Sequence, residues 1–216
     1  MSDRPIIFSA PMVRALLAGR KTQTRRLVRF PGWAAGIFTD PLKIVVETDE
    51  RGRDPEVICE STGCLAALPL PYTVGDRLYV REAWAPLDAL THGDPGAQAL
   101  AERGFYRADE GTVEGEIARW RPSIHMPRWA SRLTLVVTDV RVERLQDISE
   151  ADSKAEGVEP ICDHGVGNEH LHRIAFEQLW ERLHGKGSWL ANPWIAAISF
   201  SVHRANIDAL LREVAA

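Results

Sequence analysis

The stretch Arg132–Leu145, RLTLVVTDVRVERL, is the clearest strand signal in the chain and constrains its fold most. Valine, leucine and threonine crowd it, and neither glycine nor proline interrupts it, which favours an extended strand. It is long enough to bend, with Asp139 as the candidate bulge. Other strand candidates are shorter. Thr22–Arg29 alternates poorly, Lys43–Thr48 and a run near 56–60 are strand-like, and Val74-Gly75-Asp76 turns into Arg77–Trp84, where Leu78, Val80 and Ala83 lean inward. Trp194–Val202 reads as a buried strand.

Helical signals lie between these strands. Met12, Val13, Leu16 and Leu17 form an apolar stripe over about 10–18, Pro11 suits the first turn, and Gly19 stops it. Ser149 with Asp152 is a capping box with Asp in place of Glu, opening a short helix that ends at Gly157. His170–Leu183 places Leu171, Ile174, Ala175, Leu179 and Leu183 on one side, and Ala205–Val214 reads as a terminal helix. Without regular βαβ alternation, repeats or a low-complexity linker, the pattern predicts an α+β fold around a small barrel, in a single domain over 1–216.

Composition narrows the functional classes. The 216 residues, 45% hydrophobic and 26% charged, suit one domain with insertions rather than a disordered chain. A chain of this size buries roughly 70% of its unfolded surface and needs no disulfide or metal to hold a core. Three cysteines cannot all pair, and no apolar run reaches the roughly 18 residues of a membrane span, nor does the N-terminus resemble a signal peptide. A cytoplasmic protein without a membrane partner is expected. A net charge of −4 argues against a surface that coats nucleic acid throughout.

That charge is unevenly spread. No acid lies between Asp3 and Asp40, where Arg4, Arg14, Arg20, Lys21, Arg25, Arg26 and Arg29 fall. Ile117–Thr138 is also acid-free and carries Arg119, Arg121, Arg128 and Arg132, while acids gather in 47–60, 102–116 and 139–159. Two such basic stretches folded together would make a positive site for a phosphate-bearing or nucleotide ligand. The plainer alternative is arginines that solvate exposed faces.

The densest polar cluster is Gly19-Arg20-Lys21-Thr22-Gln23-Thr24-Arg25-Arg26. It is no phosphate-binding P-loop, because the upstream glycines are missing and the helix precedes it. Burial or neighbouring cations lower the pKa of a lysine, and a hydroxyl beside such a base becomes a nucleophile or positions a water. Lys21 and Thr24 fit that pairing, though solvated side chains at a helix–strand junction are the commoner case. Cys59, Cys64, Cys162 and His164 offer four potential zinc ligands, but their spacing is atypical and free or packed thiols are the simpler reading. Seven tryptophans are many for this length; most belong to a core, and Trp84 or Trp194 could stack on a base. No nucleophile elbow, Rossmann fingerprint or zinc-deaminase signature is present.

The segment LLAGRKTQTRR resembles the opening motif of the ASCH-domain family, whose fold is a PUA-like β-barrel with flanking helices. YTVGDRLYVREAW, LTLVVTDVRVERLQDISEADSKAEGV and NPWIAAISF continue the likeness in order, and SAPMVRALLAGRKTQTRR with IHMPRWASRLTL resembles the larger phage and prophage members. The family core then covers roughly 5–30, 72–85, 130–158 and 193–201, with insertions near 31–71, 86–128 and 159–192.

The resemblance implies RNA or nucleotide binding, and one small bacterial branch is similar to an N(4)-acetylcytidine amidohydrolase. Matched motif to motif, that branch's lysine, threonine and glutamate fall on Lys21, Thr24 and Glu156. The implied reaction is hydrolysis of an acyl group from the exocyclic amine of a modified cytidine, without cofactor or metal. Arg20, Arg26, Arg81, Glu82, Trp84, Asn192 and Trp194 become candidate substrate-binding residues. A non-catalytic RNA or modified-base binding module and a ribonuclease-like protein are the alternatives. The oligomeric state, the acyl group, and the choice between free nucleoside and polymer stay open.

Overall fold

The computed structural model describes residues 2–28, 44–47, 56–59, 64–67, 70–86, 104–112, 117, 119–161 and 170–214. Its strands are β1 (Asp3–Ile7), β2 (Gln23–Leu27), β3 (Ile44–Glu47), β4 (Glu56–Cys59), β5 (Cys64–Ala67), β6 (Arg77–Arg81), β7 (Trp84–Ala85), β8 (Phe105–Tyr106), β9 (Thr134–Arg144) and β10 (Trp194–His203). Its α-helices are α1 (Ala10–Leu17), α2 (Glu150–Ala155), α3 (Leu171–His184) and α4 (Ile207–Val214). The chain is mixed α and β, with a five-stranded sheet in the order β1-β6-β9-β10-β2. Among the described residues, no helix is long and apolar enough to cross a membrane.

Two compact units emerge. The first comprises Met1–Thr22, Gly75–Val136 and Phe200–Ala216. In it β1 runs parallel to β6, from Asp3 opposite Arg77 to Ile7 opposite Arg81. β6 is antiparallel to β9, with Leu78 opposite Leu135. Pro5 has no N–H to give a second neighbour, which suits β1 to its place at the end of the sheet order. Ile6, Val13, Leu16, Leu78, Val80 and Leu135 are buried. Pro11 lies in the first turn of α1, and Gly19, at φ +70°, ends the helix, with the Arg20 N–H donating to the Ala15 carbonyl at 2.9 Å. The short β7–β8 pair closes a small core of Trp84, Tyr106, Met126 and Ala130.

The second unit comprises Gln23–Val74 and Val137–Ser199. β2 is antiparallel to β10, with Thr24 opposite Ile198 and Arg26 opposite Ala196. β3, β4 and β5 form an antiparallel three-stranded sheet in which Cys59 and Cys64 are register partners. Leu145, Ile148, Phe176, Trp180, Trp189 and Ile195 lie in its core. Ser149 caps α2 as the sequence predicts. Its Oγ accepts the Asp152 N–H at 3.0 Å and donates back to Asp152 Oδ2 at 2.9 Å. Gly157, at φ +80°, follows the helix.

α3 has no cap of its own sequence. Glu150, from α2, supplies one by accepting the backbone N–H groups of His172 at 2.7 Å and Arg173 at 2.9 Å. Burial pushes the Glu150 carboxyl up, but these donors and the His172 ring outweigh it and hold the carboxyl below its ordinary value.

Candidate functional site

Lys21 lies in the first unit, where the chain leaves α1. It is 1% exposed, and its ammonium sits 5.5 Å from the centroid of the Phe8 ring. A lysine so enclosed is uncommon, because withdrawing an ammonium from water carries a large desolvation cost. Its backbone N–H donates to the Ala15 carbonyl at 3.2 Å, so the turn stopped by Gly19 directs this residue inward.

Thr24 and Glu156 belong to the second unit, and each is 4% exposed. Side chains alternate along β2, so Gln23 and Arg25 project to one face and Thr24 and Arg26 to the other. Glu156 closes α2 as its C-cap residue. Its Oε1 accepts from Arg25 Nη1 at 3.2 Å.

Arg25 is the hub of the second unit's polar core, with no side-chain exposure. Nη1 also donates to Gln23 Oε1 at 2.6 Å, Nη2 donates to Glu143 Oε1 at 2.7 Å, and Asp152 Oδ2 lies 3.6 Å from Nη2. The guanidinium carbon sits 5.8 Å from the Phe176 ring centroid. Arg141 neutralises the outer side of the cluster, 3.1 Å from Asp152 Oδ1 and 3.8 Å from Glu143 Oε2. Burial raises the Asp152 carboxyl, but the Ser149 hydrogen bond and the charges of Arg25 and Arg141 prevail, leaving it below its ordinary value.

The candidate substrate-binding residues have separate environments. Arg20 is exposed and Arg26 half-buried. Arg26 contributes charge near His184, whose pKa is lowered first by burial and then by that cation, and whose ring stacks on Trp180 at 4.1 Å. Arg81 donates from Nε to the Met126 carbonyl at 2.9 Å and from Nη2 to the Ile124 carbonyl, tying 124–126 to β6.

Trp84 is a core residue, packed edge-on against Trp129 at 5.7 Å, with the Arg121 guanidinium also 5.7 Å from its ring centroid. Asn192 holds a left-handed backbone at φ +42°, which asparagine tolerates better than most residues. Its Oδ1 accepts the Gln146 N–H at 2.8 Å, and its carbonyl accepts from Arg144 Nη1 at 3.0 Å. The Arg144 guanidinium lies 4.3 Å from the Trp194 ring centroid, so Arg144, Asn192 and Trp194 form one corner of the second unit.

Glu82 forms a second buried ionic cluster, within the first unit. It is 1% exposed and receives Arg132 Nε on Oε1 at 2.9 Å and Nη2 on Oε2 at 3.2 Å. Asp109 accepts from the same guanidinium through Nη1 and, at 3.2 Å, through Nη2. The guanidinium also stacks 4.0 Å from the Tyr106 ring centroid. Burial pushes the Glu82 carboxyl up, and Arg132 only partly offsets this. A residue expected to face ligand is therefore bound to an arginine that it shares with Asp109, from the 107–112 turn.

The potential zinc ligands Cys162 and His164 lie outside the described residues, as do the side chains of Cys59 and Cys64. Among the described residues, no group of three or more His, Cys, Asp or Glu is placed to hold a metal ion. Sequence reasoning placed Arg25 in the basic cluster and Asp152 in the capping box without pairing them, and did not single out Glu143. The available signal was the four-residue spacing of Asp152 and Glu156, which stacks two like charges on one helical face and calls for a cation. No family model, curated protein or solved structure matches the chain.

Proposed function

We propose that the chain is an ASCH-type protein with a PUA-like barrel at its centre, and that it hydrolyses an N(4)-acylated cytidine. The observation that carries the reading is the burial of Lys21, in a segment that also supplies the buried hydroxyl of Thr24. A binding module needs positive charge at a surface, whereas a general base gains from being withdrawn from water. In the reaction Lys21 takes the proton of the Thr24 hydroxyl, and Oγ attacks the acyl carbon. Glu156 relays the proton that Lys21 has taken to the leaving exocyclic nitrogen as the C–N bond breaks. Water then cleaves the acyl-threonine ester, so the net products are cytidine and a carboxylic acid.

The test is incubation of the purified protein with N(4)-acetylcytidine and chromatography of released cytidine. Lys21→Ala and Thr24→Ala should each lower turnover by at least about 100-fold while the circular dichroism spectrum is kept. A wild-type protein that releases no cytidine from any N(4)-acylated cytidine, yet binds RNA with a steep salt dependence, would instead be the binding module.

A further inference from the structure

We infer that Arg25 is a positioning residue for Glu156, an inference that rests on the hydrolase reading above. The side chain is fully buried, and its planar fork is held at both ends, by Gln23 on Nη1 at 2.6 Å and by Glu143 on Nη2 at 2.7 Å. A guanidinium anchored in this way cannot swing, so the direction of the Nη1 bond to Glu156 Oε1 is fixed. A carboxylate that takes up a proton and passes it on must present a defined oxygen. With Oε1 held by Arg25, the plane of the carboxyl and the direction of Oε2 are set.

Stability gives little reason for this arrangement. Buried ionic clusters generally hold a fold no better than apolar side chains of the same volume. Here the cluster also sets Asp152 and Glu156 on one helical face, a like-charge spacing that weakens a helix. Orientation of Glu156 is what the guanidinium supplies and an apolar residue could not. Arg25 acts through Glu156 and is assigned no contact with substrate.

The test compares wild type, Arg25→Lys, Gln23→Met, Glu156→Ala and the Arg25→Lys/Glu156→Ala pair on N(4)-acetylcytidine, with excess enzyme where turnover is slow. Lysine keeps the charge but loses the planar fork. Arg25→Lys should lower kcat about 10- to 100-fold with KM within about twofold. Gln23→Met, which frees one anchor without changing charge, should lower kcat several-fold. In the Glu156→Ala background the lysine substitution should cost nothing further.

Wild-type kcat in folded Arg25→Lys overturns the positioning role, and so does a loss that persists undiminished without Glu156. If Arg25→Lys does not fold, Gln23→Met and its pair with Glu156→Ala decide by the same criteria. Absence of wild-type turnover is a separate outcome, which removes the hydrolase reading and the role of Arg25 together.

Discussion

Replacing Arg132 by methionine strips Glu82 of its counter-charge while preserving most of the side-chain volume. Glu82 is 1% exposed and accepts two hydrogen bonds from this guanidinium, so the variant leaves a carboxylate without solvent or cation. At a charge separation of about 4 Å and an effective dielectric of about 20, the lost attraction is about 4 kcal/mol. Breaking a buried pair from one side costs about 3–5 kcal/mol in general, and the lost stacking on Tyr106 acts in the same direction. In a chain of this size each kcal/mol lowers Tm by about 2–4 °C, so a fall of about 6–20 °C is expected.

The pH dependence gives a sharper criterion. Burial raises the Glu82 carboxyl above its unfolded value, so its contribution is fully present below the unfolded pKa and is lost as pH rises through the folded one. Without Arg132 the folded value climbs further. The deficit relative to wild type should be smallest at about pH 4, where the raised Glu82 carboxyl is already protonated, and largest at about pH 8. Urea unfolding at both values measures it, and adding Glu82→Gln to Arg132→Met should restore most of the loss. A deficit under about 1 kcal/mol, or one that does not change with pH, would refute the reasoning.

Two further substitutions probe backbone and capping. Gly104 has φ +105°, and a Cβ there would stand 2.4 Å from the Ala85 carbonyl oxygen, so Gly104→Ala should destabilise by at least about 2 kcal/mol in a urea titration. Glu150→Ala removes the carboxylate that caps α3 and should cost about 1 kcal/mol at neutral pH. Because the Glu150 carboxyl lies below its ordinary value, its contribution is present above the unfolded pKa and is lost as pH falls through the folded one, so wild type and variant should converge toward about pH 3.

The elements legible in the sequence are those with local signals. β9 carried a long β-branched run, α1 a proline start and a glycine stop, and α2 its own capping box. β1 carries no such signal, because DRPII contains a proline and buries Ile6 alone, and it becomes a strand through parallel pairing with the distant β6. β5 is similar: CLAA has weak strand propensity and acquires its state by pairing with β4. The run Arg77–Trp84 divides after Arg81, although the inward alternation of Leu78, Val80, Glu82 and Trp84 continues across the break. Lys21, Thr24 and Glu156 are legible as residue types in a motif. The hydrogen bond between Arg25 and Glu156 spans 131 positions, and no short window contains it.

The segregation of charge along the chain has a physical meaning that neither a ligand-binding patch nor a solvated face captures. Arginines from the acid-free stretches meet acids from other segments. Arg25 meets Glu143, Asp152 and Glu156; Arg132 meets Glu82 and Asp109; Arg128 meets Asp3 and Asp208 at 2.6 Å each. A segment rich in one sign cannot satisfy its charges locally, so each buried arginine selects a partner far away in sequence and rejects neutral or like-charged packing. The charge pattern thus encodes pairings between segments inside each unit. It also separates the cations of the Gly19–Arg26 cluster into two kinds. Arg25 is fully buried among the fold's own carboxylates, whereas Arg20 is exposed and Arg26 half-buried.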